Sequence, residues 1–241
     1  MDKKRQFFNG VHDGLPICIG YLSVSFAFGI FAVGCGLDGF MAVLISMTNV
    51  TSAGQLAGVP IIASGGALGE LALTQLVINL RYALMSVSLS QKLDDDIRLR
   101  DRFLIAFVNT DEVFAVAYSK GERVKRLYMF GLILTPYLGW VTGTLLGVLA
   151  GNILPAVVTS ALGVAIYAMF VAIVIPEARG NKSTALCVLL AVAIGCVLEY
   201  VPVFRFISDG FIIIISAVVA SAVFAAVAPI DLGQDDEVQD E

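Results

Sequence analysis

Two short polar clusters stand inside long apolar runs, Asn79-Leu80-Arg81-Tyr82 and Asn109-Thr110-Asp111-Glu112. Arg81 offers a planar fork of N–H donors and a charge that no accessible pH removes. Asp111 and Glu112 offer the opposite, carboxylates that hold a proton more readily when withdrawn from water. Asn79, Asn109 and Thr110 add neutral donors and acceptors. A fixed cation, an acid pair and several amides complement a small zwitterion such as an amino acid. The same groups also suit a purely structural role, in which Arg81 pairs with Asp111, Glu112 or Glu70 between helices, or snorkels toward a membrane face.

A third feature lies upstream. Thr51-Ser52-Ala53-Gly54-Gln55-Leu56-Ala57-Gly58-Val59-Pro60 combines small residues, two glycines, an amide and a proline. Such a segment serves as a helix break, which transporters place at substrate sites, with Ser52, Gly54 and Gln55 as binding groups. It serves equally as a surface for close helix packing.

The elements that must position these residues are membrane helices. Hydrophobic residues make up 58% of the 241 and charged residues 15%, with a mean hydropathy of +0.89; soluble domains carry about 25% charged residues. A charged side chain at bilayer depth costs roughly 2.5–3.5 kcal/mol, so it faces a partner or a wet cavity. The expected fold is all-α, a polytopic transmembrane bundle of seven or eight segments, some broken or re-entrant. It forms one membrane domain over residues 1–230. Residues 231–241 carry six acidic side chains, which account for the net charge of −5, and are expected to be a disordered cytoplasmic tail.

Along the chain, spans are predicted over about Leu15–Val33 (entered through Pro16 in its first turn), Phe40–Ala57, Ile61–Ser90, Phe103–Tyr118, Leu127–Leu149, Pro155–Ile175, Thr184–Val201 and Phe211–Ala228. Ser64-Gly65-Gly66 is a predicted break. Lys3, Lys4 and Arg5, the Lys120–Arg126 loop and the Arg179–Lys182 loop place the amino terminus and those loops in the cytoplasm. Eight crossings satisfy all three and put the Gln91–Arg102 loop outside. If Phe40–Ala57 or Phe103–Tyr118 only dips into the membrane, the count falls to seven and the assignment changes. Gly14-Leu15-Pro16 with Gly20, Gly29 and Gly34 faintly echoes Gly131-Leu132 with Pro136, Gly139, Gly143 and Gly147.

Other chemistry is poorly served. Cys18, Cys35, Cys187 and Cys196 lie in apolar runs without a C-x-x-C pair, and His12 is the single histidine, at the interface. No catalytic, nucleotide-binding or metal signature occurs, so no enzyme activity, cofactor, metal or nucleic-acid partner is expected. Glu199, before Pro202, marks either an intramembrane acid or a helix end.

The order of these clusters resembles the AzlC family of branched-chain amino-acid permeases. The resemblance rests on Phe8 and Gly10 through Gly14-Leu15-Pro16, Ser52-Ala53-Gly54-Gln55, Asn79-Leu80-Arg81 and Thr110-Asp111-Glu112, and runs from near Phe7 to the last span. It implies a bacterial inner-membrane exporter of leucine, isoleucine, valine and, in some members, methionine, proton-coupled, acting with a small hydrophobic AzlD-type subunit. Arg81 would then meet the substrate carboxylate, and Asp111 or Glu112 its ammonium or the coupling proton. Tyr82 departs from the histidine frequent after N-L-R in that family, which bears on coupling or substrate range. A channel for another small solute or ion, or a membrane scaffold, are the alternatives.

Overall fold

The computed structural model describes residues 3–121, 123–151, 153, 157, 171, 174–176 and 178–228. Among them the secondary structure is helical apart from one isolated bridge, Leu93 with Val124. Contacts divide the chain into two units, Met1–Met169 and Phe170–Glu241. The described helices of the first unit are α1 (Lys3–Gly34), α2 (Gly39–Thr48), α3 (Ser52–Ala63), α4 (Leu68–Lys92), α5 (Leu99–Phe107), α6 (Asp111–Tyr118) and α7 (Arg126–Gly151).

Among the described helices of this unit only α1, α4 and α7, of 32, 25 and 26 residues, are long enough to cross a bilayer. The other four have 8 to 12 residues, which at about 1.5 Å per residue reach roughly 12–18 Å. That is about half of a 30 Å hydrocarbon core. Their contacts show where they go. The Asp38 side chain accepts from the Phe40 N–H to cap α2, which then runs along α7 toward mid-helix: Ser46 Oγ meets Thr144 Oγ1 at 2.7 Å, and Tyr137 donates to the Met47 carbonyl at 3.1 Å. α3 turns back beside α4, with Gly54 against Gln75 and Asn79, and Gly58 against Leu71. Val59 closes a cluster with Phe28, Ala42 and Val148, where α2 began. The pair α2–α3 is a re-entrant hairpin. Gly65, at φ 71°, makes the turn into α4, a conformation that side-chain-bearing residues resist.

The pair α5–α6 is its counterpart from the opposite end. Asp101 starts beside Arg126, Asn109 reaches Ser86 in α4, and Lys92, at the α4 terminus, donates to the Tyr118 carbonyl as the chain returns. A long helix followed by a broken hairpin thus occurs twice in opposite senses, as α1 with α2–α3 and α4 with α5–α6.

This corrects the expected crossings. Phe40–Ala57 and Phe103–Tyr118 each enter and leave by one end, and the Gln91–Arg102 loop lies at the same end as the Lys120–Arg126 loop. Val124 donates to the Lys92 carbonyl at 2.9 Å, Asp94 to the Val124 carbonyl at 3.0 Å, and Arg123 pairs with Asp95 at 2.7 Å. Hydropathy measures apolar length but not return. The acids of the Gln91–Arg102 loop masked Lys92, Arg98, Arg100 and Arg102, whereas Asp and Glu contribute little to the orientation rule.

The glycine echo is the central helix pair itself. α1 and α7 run parallel and in register: Gly14 faces the Leu132 carbonyl, Gly139 faces Cys18, Gly143 faces Leu22 and Gly29 faces Val148. Pro16 falls inside α1, not in its first turn, because the helix already begins at Lys3; membrane helices tolerate the missing bond where neighbours surround it.

At the loop end, Arg126 holds Asp101 with Nη2 donating to Oδ1 at 2.8 Å and Nε 2.7 Å from Oδ2, while the Arg98 N–H donates to Oδ2. The Arg126 hydrogen bond holds the Asp101 carboxyl below the usual carboxylate range. A depressed acid stabilises the fold above its unfolded pKa, and that contribution disappears as pH falls through the folded one. Thermal unfolding in detergent is therefore expected to rank Asp101→Asn below wild type at neutral pH, with the gap closing only at pH values below the ordinary aspartate range.

In the second unit, α8 (Lys182–Tyr200) and α9 (Asp209–Val227) form a hairpin around a 3₁₀ turn at Pro202–Phe204. Asn181 caps α8 by accepting from Ser183 and Thr184, and Gly195 packs against Ser216. Both helices match predicted spans. Glu199 sits in the last turn of α8. The predicted span Pro155–Ile175 falls almost entirely outside the described residues, and the 231–241 tail does so completely.

Candidate functional site

The two hairpin tips, Asn49-Val50-Thr51 and Val108-Asn109-Thr110, lie against the middle of α4. Arg81 is about 20 Å along that helix, well inside the span. At the first tip, Gln55 is 1% exposed and donates to the Asn49 carbonyl at 2.6 Å and to Ser46 Oγ at 3.1 Å. Gln75 donates to the Gly54 carbonyl at 2.7 Å while its own Oε1 accepts from Asn49 and Asn79. Thr51 donates to Asn49 Oδ1 at 2.8 Å. Ser52 stands half-buried in the first turn of α3.

Gly54 is what lets this network close. A Cβ there would lie nearest Thr51 Oγ1 and 2.6 Å from Gln75 Oε1, closer than real contacts allow. Gly54→Ala is expected to open the α3–α4 contact and lower the midpoint of thermal unfolding in detergent. Gly69→Ala, with nothing within 4 Å, is the control, and circular dichroism of both variants beside wild type reads the difference.

At the second tip, Asn109 donates to Ser86 Oγ at 3.0 Å. Arg81 and Asp111 form an ion pair, Nη1 to Oδ2 at 2.7 Å. Arg81 Nη2 also donates to the Tyr82 hydroxyl at 3.0 Å, and the guanidinium lies 4.7 Å from that ring. Glu112, one residue on, turns to α1 and accepts from the Tyr21 hydroxyl. The two acids predicted as a pair thus serve different helices. From Asn79 to Ser86 the tips are separated by about 10 Å along α4, with Arg81 and Tyr82 between them.

Both tips end in a threonine N-cap, Thr51 for α3 and Thr110 for α6, in extended backbone without a side-chain cap bond. Two helix amino termini with their positive ends therefore sit at mid-span. Several buried oxygens near the tips also lack a partner among the described residues: Gln55 Oε1, Asn79 Oδ1, Asn109 Oδ1 and Thr110 Oγ1. Each such group costs about 1–3 kcal/mol unless something fills it. Each is an acceptor that an ammonium or a water can fill. A hollow of about 30 Å³ beside Ser86 and Asn109 is room for about one water.

Asn49, Gln75, Tyr21 and Ser46 complete this layer without having been singled out as binding residues in the sequence. Asn49 had a signal in its proximity to the break, and Gln75 in its place one turn before Asn79. A lone tyrosine in an apolar helix carries none.

Comparison with known proteins matches the family described as AzlC protein over residues 16–154, more than half the chain and including both hairpins. An uncharacterized membrane protein of Archaeoglobus fulgidus is 34% identical over 187 residues, covering 77% of this chain and 82% of its own length. Inner membrane protein YgaZ of Escherichia coli is 32% identical over 206 residues, covering 82% and 84%. An uncharacterized membrane protein of Helicobacter pylori is 26% identical over 154 residues, covering 61% and 67%. No solved structure matches. The helical, multi-pass architecture and these matches agree: the chain is a membrane protein that belongs to the AzlC family.

Proposed function

We propose that the chain is the large subunit of a proton-coupled exporter of branched-chain and related neutral amino acids, leucine, isoleucine, valine and methionine. It would act in the bacterial inner membrane with its amino terminus in the cytoplasm. The observation that carries this reading is the Arg81–Asp111 pair, held at mid-span between two broken hairpins. A zwitterion can enter such a pair with charge balanced at both ends. Its carboxylate replaces Asp111 on Arg81, and its ammonium pairs with the Asp111 carboxylate so released. Apolar walls then hold the aliphatic chain, discriminating by about 1–3 kcal/mol per methylene, so several aliphatic amino acids share the route.

Glu112, bridged to Tyr21 of α1, is the proposed proton carrier: protonation weakens its hold on α1 and lets α6 move against it. The opposed helix-plus-hairpin repeats support alternating access, the usual use of inverted repeats in transporters. The Arg81 and Asp111 side chains are 50% and 44% exposed, at a depth where lipid does not solvate charge. The small AzlD-type subunit is proposed to cover this α4–α6 face.

The test is reconstitution of the chain with its small partner in vesicles and measurement of labelled leucine flux under an imposed pH gradient. Uphill flux that collapses with the gradient supports an exporter. Downhill flux without proton movement is the result of a channel, and no flux of any neutral amino acid overturns the reading.

A further inference from the structure

The mid-span site does not account for a cavity of about 560 Å³ at the amino end of the first unit, within the range of roughly 300–1,000 Å³ typical of ligand pockets. It lies between the start of α1 and the loop leading into α7, and the ionisable side chains among its described lining are His12, Asp13, Lys120, Arg123 and Lys125, with the Tyr128 hydroxyl beside them. The Asp13 carboxylate is occupied. Asp13 Oδ2 accepts from Lys120 and from Tyr128, each at 2.7 Å, and Lys120 rests 5.2 Å from the Tyr128 ring. Among the described lining residues three cations thus face one acid, and Arg123 pairs with the exposed Asp95. Lys125 has no ion pair among the described residues. The cavity is built for an anion.

Its position says which kind. The apolar part of α1 begins at Leu15, so the cavity sits where a helix leaves the hydrocarbon, at headgroup level. On α1, Phe8, His12, Leu15 and Ile19 recur at helical spacing on one face, and Phe8, Leu15 and Ile19 are 65%, 45% and 72% exposed. His12 therefore joins the cavity to a lipid-facing stripe. A ligand with a phosphate in the cavity and acyl chains along Leu15 and Ile19 satisfies both surfaces at once.

We propose that this cavity binds the phosphate of an acidic phospholipid, with Lys125, Arg123 and Lys120 as its cations and Tyr128 as a hydroxyl donor. Basic pockets between membrane helices hold such headgroups, and near a membrane surface each Lys or Arg is worth about a fivefold gain in binding. Asp13 acts within this site as a positioning residue that holds Lys120 and Tyr128 and limits the positive charge.

The test is lipid retention by the purified full chain in detergent, read by native mass spectrometry with phosphatidylglycerol and phosphatidylcholine offered together. Wild type is expected to keep phosphatidylglycerol at least fivefold in preference. The preference should fall on the order of tenfold in Arg123→Gln/Lys125→Gln, survive in Lys125→Arg, and shrink as salt screens it. Asp13→Asn, which leaves the side-chain shape and removes its negative charge, should tighten phosphatidylglycerol binding, an increase that a merely structural Asp13 would not give. Equal retention of both lipids, a preference unchanged in the double variant with normal helical content, or displacement of phosphatidylglycerol by millimolar inorganic phosphate would each overturn the proposal.

Discussion

Arg81→Ala is expected to reduce leucine efflux on the order of 100-fold and to lower the amount of folded protein. Arg81→Gln combined with Asp111→Asn should restore the protein level without restoring flux. The two readouts separate because the residues have two roles. Removing Arg81 alone leaves the Asp111 charge at mid-span with no cation, at a cost of roughly 2.5–3.5 kcal/mol. Neutralising both removes that penalty and keeps amides where the ions were, so α4 and the tip of the second hairpin still meet. The amide pair cannot offer a guanidinium fork to a carboxylate, however, and transport stays lost. A pair whose only role is to join α4 to α6 predicts the opposite: the double variant recovers flux together with protein level. Steady-state efflux, normalised to membrane-inserted protein, decides between them. Lys at position 81 adds a graded case. It keeps the charge but not the planar fork, so Arg81→Lys should retain the protein level and lose most of the flux.

The residues at the centre of this experiment were readable from the sequence, because a charge inside an apolar run is conspicuous wherever the run goes. The break sought in Thr51–Pro60 was readable only at its edge: the chain turns at Asn49–Thr51, and Ser52–Ala63 is continuous helix whose glycines pack against α4, the alternative that small residues also allowed. Ser64-Gly65-Gly66 was readable, where the chain needs a residue that accepts positive φ. What stayed hidden was direction. Phe40–Ala57 and Phe103–Tyr118 have the composition of short spans, and nothing in composition distinguishes a segment that crosses from one that turns back at Asn49 or Asn109. The consequence was an inverted placement of the Gln91–Arg102 loop, which only the Lys92–Val124 and Asp95–Arg123 contacts correct. The tie between Glu112 and Tyr21 was also hidden, because it spans 91 positions and involves a residue type common in membrane helices.

The glycine echo was visible but uninterpretable, since small residues announce a close approach without naming the partner. The structure names it, and the second large effect follows. Gly143→Leu is expected to prevent the first unit from folding, and Gly143→Ala to lower the midpoint of thermal unfolding by many degrees, whereas Gly20→Ala leaves it level or slightly raised. At Gly143 a Cβ would lie 2.5 Å from the Leu22 carbonyl oxygen and 3.0 Å from its Cα. Those are backbone atoms, which cannot rotate aside as a side chain would. The α1 and α7 axes would have to separate, and because Gly14, Gly29 and Gly139 make equally close contacts along the same seam, the loss would spread to neighbouring turns. Overpacking of a well-fitted core costs about 1–3 kcal/mol or more, and membrane helices draw much of their association from this packing. Gly20 has nothing within 4 Å, so a methyl there meets no obstacle and gains helix propensity of about 0.5–1 kcal/mol. Unfolding of the three variants in one detergent, followed by helical circular dichroism, tests the seam directly. Equal midpoints for Gly143→Ala and Gly20→Ala would mean that α1 and α7 do not meet as described, and the parallel pair that fixes both hairpins would go with them.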